Sequence, residues 1–185
     1  MKKYIIVILL FIMSVKSYSQ RMIYKQKALE INTGIVATNE ISKNFYLNLT
    51  LTSFGRNGNY WIWGTEYQKR TTDYKQWSIP LESYLGDIGY SMQLLADPKK
   101  FITINLGLTG VAGYEVVNKG DSLLLDGAIL RNRNQFVYGT GGRLSVETYL
   151  TDCIVLFLQG RIKVLWGSDF DRFRPSSGIG LRFNF

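Results

Sequence analysis

Eight segments of this chain alternate apolar and polar residues with a period of two, the repeat of a β-strand and not of a helix. The first covers about 28–38, with Leu29, Ile31 and Ile35 set against Glu30, Asn32 and Gly34. The second, 44–54, sets Phe45, Leu47, Leu49 and Leu51 against Tyr46, Asn48, Thr50 and Thr52. In the third, 59–69, Trp61, Trp63 and Tyr67 oppose Gly64, Glu66 and Gln68. The fourth, 77–95, is irregular: Ile79, Leu81 and Leu85 share one parity, Tyr90, Met92 and Leu94 the other. That phase change predicts a β-bulge near Gly86-Asp87, and Pro80, which lacks a ladder donor, fits an irregular start. Segments 101–115, 135–149, 154–166 and 176–185 complete the set, divided by Gly, Asn, Asp and Pro clusters.

Two architectures produce such a pattern: a soluble sandwich or barrel with the apolar rows inside, or a membrane barrel with them outside. The polar rows decide for the second. They are rich in Gly, Ser, Thr and Asn and carry few charges, whereas a solvated outer face displays many. Aromatics also gather toward strand ends, at Phe45, Trp61, Trp63, Tyr67, Trp77, Tyr114, Phe136 and Trp166, as girdles at two bilayer interfaces would require. The expected fold is all-β, an eight-stranded antiparallel transmembrane β-barrel of the outer membrane with a filled polar lumen. Gly55–Gly58, Ala96–Lys100 and Leu150–Asp152 read as short inner turns. The connections at 70–76, 116–134 and 167–175 are longer and read as external loops, with 39–43 the one brief exception.

An export signal precedes this pattern. Lys2 and Lys3 make a positive start, Ile5 to Met13 an apolar core too short for a membrane anchor, and Ser17-Tyr18-Ser19 a cleavage site. We therefore expect residues 1–19 to be a cleaved signal peptide and 20–185 a single barrel domain, delivered to the bacterial outer membrane. Removing Lys2, Lys3 and Lys16 lowers the formal charge from +8 to +5. The remaining excess is scattered, with no basic run or aromatic-interleaved stripe, so direct nucleic-acid binding is not expected.

The chain has no histidine, which removes Ser-His-Asp and Cys-His catalysis and His-ligated zinc. Its single cysteine, Cys153, cannot form an internal disulfide and reads as a small packing residue at a strand start. No cofactor, no metal and no small-molecule substrate is expected. An eight-stranded barrel is just wide enough for its own side chains. The predicted inward set holds Glu30, Glu66, Glu82 and Glu147 with Arg143, Arg161, Lys163 and Arg182, four acids against four bases. Charges in so tight a space are costly unless paired, so they are expected to form a salt-bridged plug, with a proton path as the alternative use.

Two external stretches carry site-like residues. Asp169-Phe170-Asp171 has the look of a cation site, but Arg172 and Arg174 beside it favour a self-neutralised loop. The 116–134 connection holds Leu123, Leu124, Leu125, Ile129 and Leu130, suited either to a partner contact or to folding over the barrel mouth.

Longer stretches are more specific. RMIYKQKALEINTG, NGNYWIWGTEY, FVYGTGGRLSVETYLTD, LQGRIKVLWGSD and FRPSSGIGLRFNF resemble the conjugative-transposon TraO family, in order and over nearly all of the chain that follows the signal. The resemblance implies a non-enzymatic component of the apparatus that moves a mobile element's DNA between bacteria, with other conjugation proteins and outer-membrane lipid as partners. It supplies no catalytic residue to carry over. The expected role is to brace or anchor the machinery. Alternatives are an independent surface or adhesion barrel, a lipid-modifying outer-membrane enzyme, and a soluble ligand-binding barrel. In the final segment Ile179, Leu181, Phe183 and Phe185 are expected to face lipid as the closing strand. Its terminal aromatic resembles the signal read by barrel-assembly machinery, although Gly178 stands where that signal has a polar residue.

Overall fold

In the computed structural model each alternating segment is a strand. The structure describes residues 23–37, 44–74, 77–117, 134–168 and 170–185. The strands are β1 (Lys27–Val36), β2 (Phe45–Phe54), β3 (Tyr60–Tyr74), β4 (Trp77–Ala96), β5 (Ile102–Val117), β6 (Asn134–Tyr149), β7 (Ile154–Trp166) and β8 (Phe173–Asn184). Each pairs antiparallel with its neighbours in sequence, and β8 returns to β1, from Ala28↔Asn184 to Val36↔Ser176, so the sheet closes on itself. Closure removes the edges that an open sheet would leave unpaired.

Short turns join the strands at one end, here called the near end. A single 3-10 turn over Arg56–Gly58 links β2 to β3, with Asn57 and Gly58 at positive φ. Gly58, at φ 75°, occupies backbone space that a side chain would strain. Asp97 closes the β4–β5 turn by accepting from the Lys99 amide at 3.2 Å, and the Thr151 hydroxyl accepts from Ile154 N at 3.0 Å before β7. Cys153 lies in this last turn, exposed, and not inside the strand start expected for it. At the far end, β3 runs on to Tyr74 and β8 begins at Phe173, so parts of the 70–76 and 167–175 connections are strand. Connection 39–43, residues 75–76, and 118–133 with its leucines lie outside the described residues.

The bulge is not where the phase change placed it. Pairing of β3 with β4 is unbroken from Tyr60↔Ser91 to Tyr74↔Trp77, and the register shift falls between Gln93 and Leu95 on the β5 side. Ile79, Leu81 and Leu85 are buried on the inward parity that Asp87 and Ser91 continue, while Tyr84, Ile88 and Met92 face out. The strand keeps one phase and its apolar residues change faces, because the lumen itself becomes apolar toward the far end. Leu85, Val111, Val137 and Leu165 form one inward cluster there, and Ile79, Leu81 and Val117, with Phe170 against them, form another.

Candidate functional site

Inward parity gathers a dense set of charges into the barrel. Five acids (Glu30, Glu66, Asp87, Glu115, Glu147) and six bases (Arg70, Arg143, Arg161, Lys163, Arg174, Arg182) are buried among the described residues. They sort into layers along the axis. Nearest the short turns, Arg182 sits on β8 opposite Glu30 of β1, which the closing register places side by side. Its guanidinium donates to Glu30 Oε1 at 2.8 Å and to Glu147 Oε2 at 2.6 Å. Arg143 reaches the other Glu30 oxygen at 3.3 Å. Tyr60 binds this layer together: its hydroxyl donates to Glu147 at 2.7 Å and accepts from Arg182 at 2.9 Å and Arg143 at 3.0 Å. Beneath it lies an apolar floor of Ala28, Phe54, Tyr60 and Ile62.

The second layer is built on β3, β4 and β7. Lys163 is shared between both Asp87 oxygens, at 3.0 Å each, and Glu66 at 3.2 Å. Arg161 pairs with the same Glu66 oxygen and lies 3.7 Å from the Tyr46 ring centroid, a cation–π contact. A relay of Gln159, Asn32, Asn48 and Thr50, joined by hydrogen bonds of 2.7 to 2.8 Å, meets this layer where Asn48 donates to Glu66 at 3.4 Å. Beyond the apolar layer at Leu85, a third set occupies the far mouth. Glu115 pairs with Arg174 and accepts from Ser83 at 2.9 Å and Ser168 at 2.6 Å. Arg70 meets the exposed Asp171 at 3.1 Å.

Seven of the eight residues predicted for the lumen therefore stand in paired layers: Glu30, Glu66, Arg143, Glu147, Arg161, Lys163 and Arg182. Glu82 does not. It lies on the outward parity of β4 and accepts from the Tyr84 hydroxyl at 3.4 Å; the misplaced bulge is the reason for the error. The same shift hid Asp87. Glu115 shares the inward parity of its strand and was legible but unused. Arg70 and Arg174, in stretches expected to be external loops, each fall on an inward position of a strand that continues farther than expected. Arg174 is thus a lumen base and not a neutralising neighbour of Asp171, whose partner is Arg70. Asp169 lies outside the described residues.

Glycines make the room these long side chains need. A Cβ at Gly107 would meet Arg143 Cγ at 2.8 Å, and one at Gly64 would meet the Thr50 hydroxyl at 2.9 Å. The inner cavity beside Asp87 and Arg161 is about 20 Å³, room for one water. No group of three His, Cys, Asp or Glu comes together as a metal site among those residues.

Outside, the barrel is apolar all round. Ile31, Leu49, Ile88, Leu108, Leu158 and Ile179 are exposed, as are Leu181, Phe183 and Phe185 of the closing segment. Toward the far end the aromatics form a belt over successive strands. Phe45 contacts Tyr67, Tyr67 contacts Tyr84, Tyr114 contacts Phe136, and Tyr138 contacts Trp166, with ring centroids 5.4 to 6.3 Å apart. Trp61, Trp63 and Tyr90 form a smaller group nearer the short turns.

Comparison with known proteins adds two kinds of likeness. The family model described as conjugative transposon protein TraO matches residues 23–185. Among solved structures, the fold is similar to Neisserial surface protein A (NspA), with a TM-score of 0.61 and 15% identity, covering 86% of this chain and 96% of that one. It is also similar to the N-terminal β-barrel domain of Pseudomonas aeruginosa OprF, with a TM-score of 0.52 and 9% identity, covering 88% and 98%. No curated protein matches the sequence.

Proposed function

The chain belongs to the TraO family of conjugative transposon proteins, and from that premise we propose that it is a non-enzymatic outer-membrane brace of a DNA-transfer apparatus. The observation that carries this reading is the pairing of an uninterrupted apolar exterior with a lumen closed by its own side chains. An exposed apolar surface of this extent is stable only when something apolar covers it, and a bilayer covers all sides of a barrel at once. A lumen closed by paired charges passes neither DNA nor protein. The barrel then serves as a fixed point in the membrane, and other transfer proteins engage its rims.

In this reading residues 1–19 are removed on export, the short turns face the periplasm, and the long connections face outward. Deleting the gene should abolish or sharply lower transfer of the element while leaving growth unchanged, and expression in trans should restore it. Unchanged transfer would end the assignment and favour an independent surface barrel. The membrane placement has its own check. The protein should fractionate with outer membranes, begin at Gln20, and migrate differently on gels with and without boiling. Recovery as a soluble periplasmic protein would refute it.

A further inference from the structure

The exterior is apolar but not evenly filled. On the wall formed by β2 to β6, one row of cross-strand neighbours is small: Thr65 pairs with Gly86, and Gly86 with Ala112. The rows on either side are large. Toward the far end stand Tyr67, Tyr84 and Tyr114, mutual partners in the register. Toward the near end stand Trp63 and Ile88. Leu49 and Tyr138 close the two ends of the small row. The result is a trough in the outer wall of about 810 Å³, continuous with a second hollow of about 560 Å³ that runs up between Tyr67 and Tyr84.

The small floor is not demanded by the barrel itself. A Cβ built at Gly86 meets nothing nearer than the Ala112 carbonyl at 3.6 Å, and at Gly110 nothing nearer than 3.8 Å. Inward glycines such as Gly64 and Gly107 are different, because lumen side chains occupy their space. Gly86 and Gly110 leave open space above this wall, as Gly142 and Gly160 do elsewhere on the outer face; here that space lies beneath a polar cluster.

Polar groups stand where the trough meets the aromatic belt. One row beyond the tyrosines, Lys69 and Glu82 are direct cross-strand partners on the outward face. The Tyr84 hydroxyl donates to Glu82, and the Tyr67 and Tyr84 rings lie 5.4 Å apart below. An ammonium, a carboxylate and phenol hydroxyls above an apolar trough match a lipid whose head carries both an anion and hydroxyl donors. Lys69 suits a phosphate; Glu82 and the tyrosine hydroxyls suit sugar hydroxyls.

We propose that this wall binds one phosphorylated glycolipid of the outer leaflet, an acyl chain lying on Thr65, Gly86 and Ala112 and the head on Lys69, Glu82 and the tyrosine hydroxyls. The proposal rests on the outer-membrane orientation above. The test uses the full processed protein refolded in mild detergent, with purified lipopolysaccharide or phosphatidylethanolamine added and bound lipid read by native mass spectrometry. Wild type should retain one lipopolysaccharide molecule in preference to phosphatidylethanolamine. Gly86→Leu, which fills the trough, and Lys69→Ala, which removes the ammonium, should each lower retention about tenfold while preserving the shift between boiled and unboiled samples. If Gly86→Leu fails to fold, Lys69→Ala decides. No retained lipopolysaccharide in wild type, retention unchanged in the folded variants, or equal retention of the two lipids would overturn the proposal. A wild-type protein without the gel shift would instead overturn the membrane reading on which it stands.

Discussion

Arg182 shows how much of this barrel hangs on single inward residues. It is fully buried and satisfies Glu30, Glu147 and Tyr60 at once. A buried ion pair contributes little over an apolar replacement of equal shape, yet removing one partner leaves the other's charge stranded. Arg182→Ala leaves buried Glu147 without its cationic partner and Glu30 with Arg143 alone, so it should cost about 3–5 kcal/mol or prevent folding altogether. Tyr60→Phe removes one hydroxyl from the same layer and should cost about 1–3 kcal/mol. Glu82→Ala, on the outward face, should fall within about 0.5 kcal/mol of wild type. Urea midpoints of protein refolded into vesicles give the order directly. Glu82→Ala as damaging as Arg182→Ala would mean that the β4 side chains are assigned to the wrong faces.

At the scale of the element, the closing strand carries the sharpest expectation. Leu29 pairs with Phe183 and Ala28 with Asn184, and Lys27 and Phe185 exchange backbone hydrogen bonds at 3.2 and 2.9 Å. Asn184 also ties the β6–β7 turn through the Asp152 carbonyl at 3.0 Å. Removing Phe183–Phe185 deletes the near end of the seam between β1 and β8 and leaves the start of β1 with a free edge, where unpaired backbone groups cost several kcal/mol each against lipid. The truncated chain should yield no heat-modifiable band; normal insertion would show that closure does not depend on these pairs. The strands themselves are legible because one face of each is apolar along most of its length, and period two then reports both that a strand exists and which residues share a face. Strand β4 was misread because Ile79, Leu81 and Leu85 are apolar and inward. Alternation records which residues share a face but not which face meets lipid, so an apolar stretch of lumen imitates a bulge. The ends of β3 and β8 escape the sequence for a related reason: Arg70 and Arg174 resemble loop residues until Asp171 is found as the partner of the first and Glu115 of the second.

For the whole molecule, the order of the layers predicts how tightly the barrel is sealed. An ion entering from the near end meets the Glu30–Arg182–Glu147 layer, then Glu66, Asp87, Arg161 and Lys163. Past these lies the ring of Leu85, Val111, Val137 and Leu165, which offers no ligand to replace lost water. The two kinds of barrier are independent: paired charges fill space and hold it by attraction, whereas the apolar ring excludes ions by withholding hydration. Neutralising the middle layer with Glu66→Gln and Asp87→Asn should therefore leave planar bilayers containing the protein without measurable current. Opening the ring alone with Leu85→Ser and Leu165→Ser should also leave them closed, because the charged layers still fill the lumen. Combining both pairs of substitutions should leave the bilayers closed as well, because the Glu30–Arg182–Glu147 layer and the Glu115–Arg174 pair still fill the lumen. Current through the wild-type protein would contradict the closed lumen and remove the main physical reason for assigning the barrel a bracing role instead of a conducting one. Current in either double variant alone would mean that the two barriers are coupled, with the charged layer and the apolar ring acting as one seal.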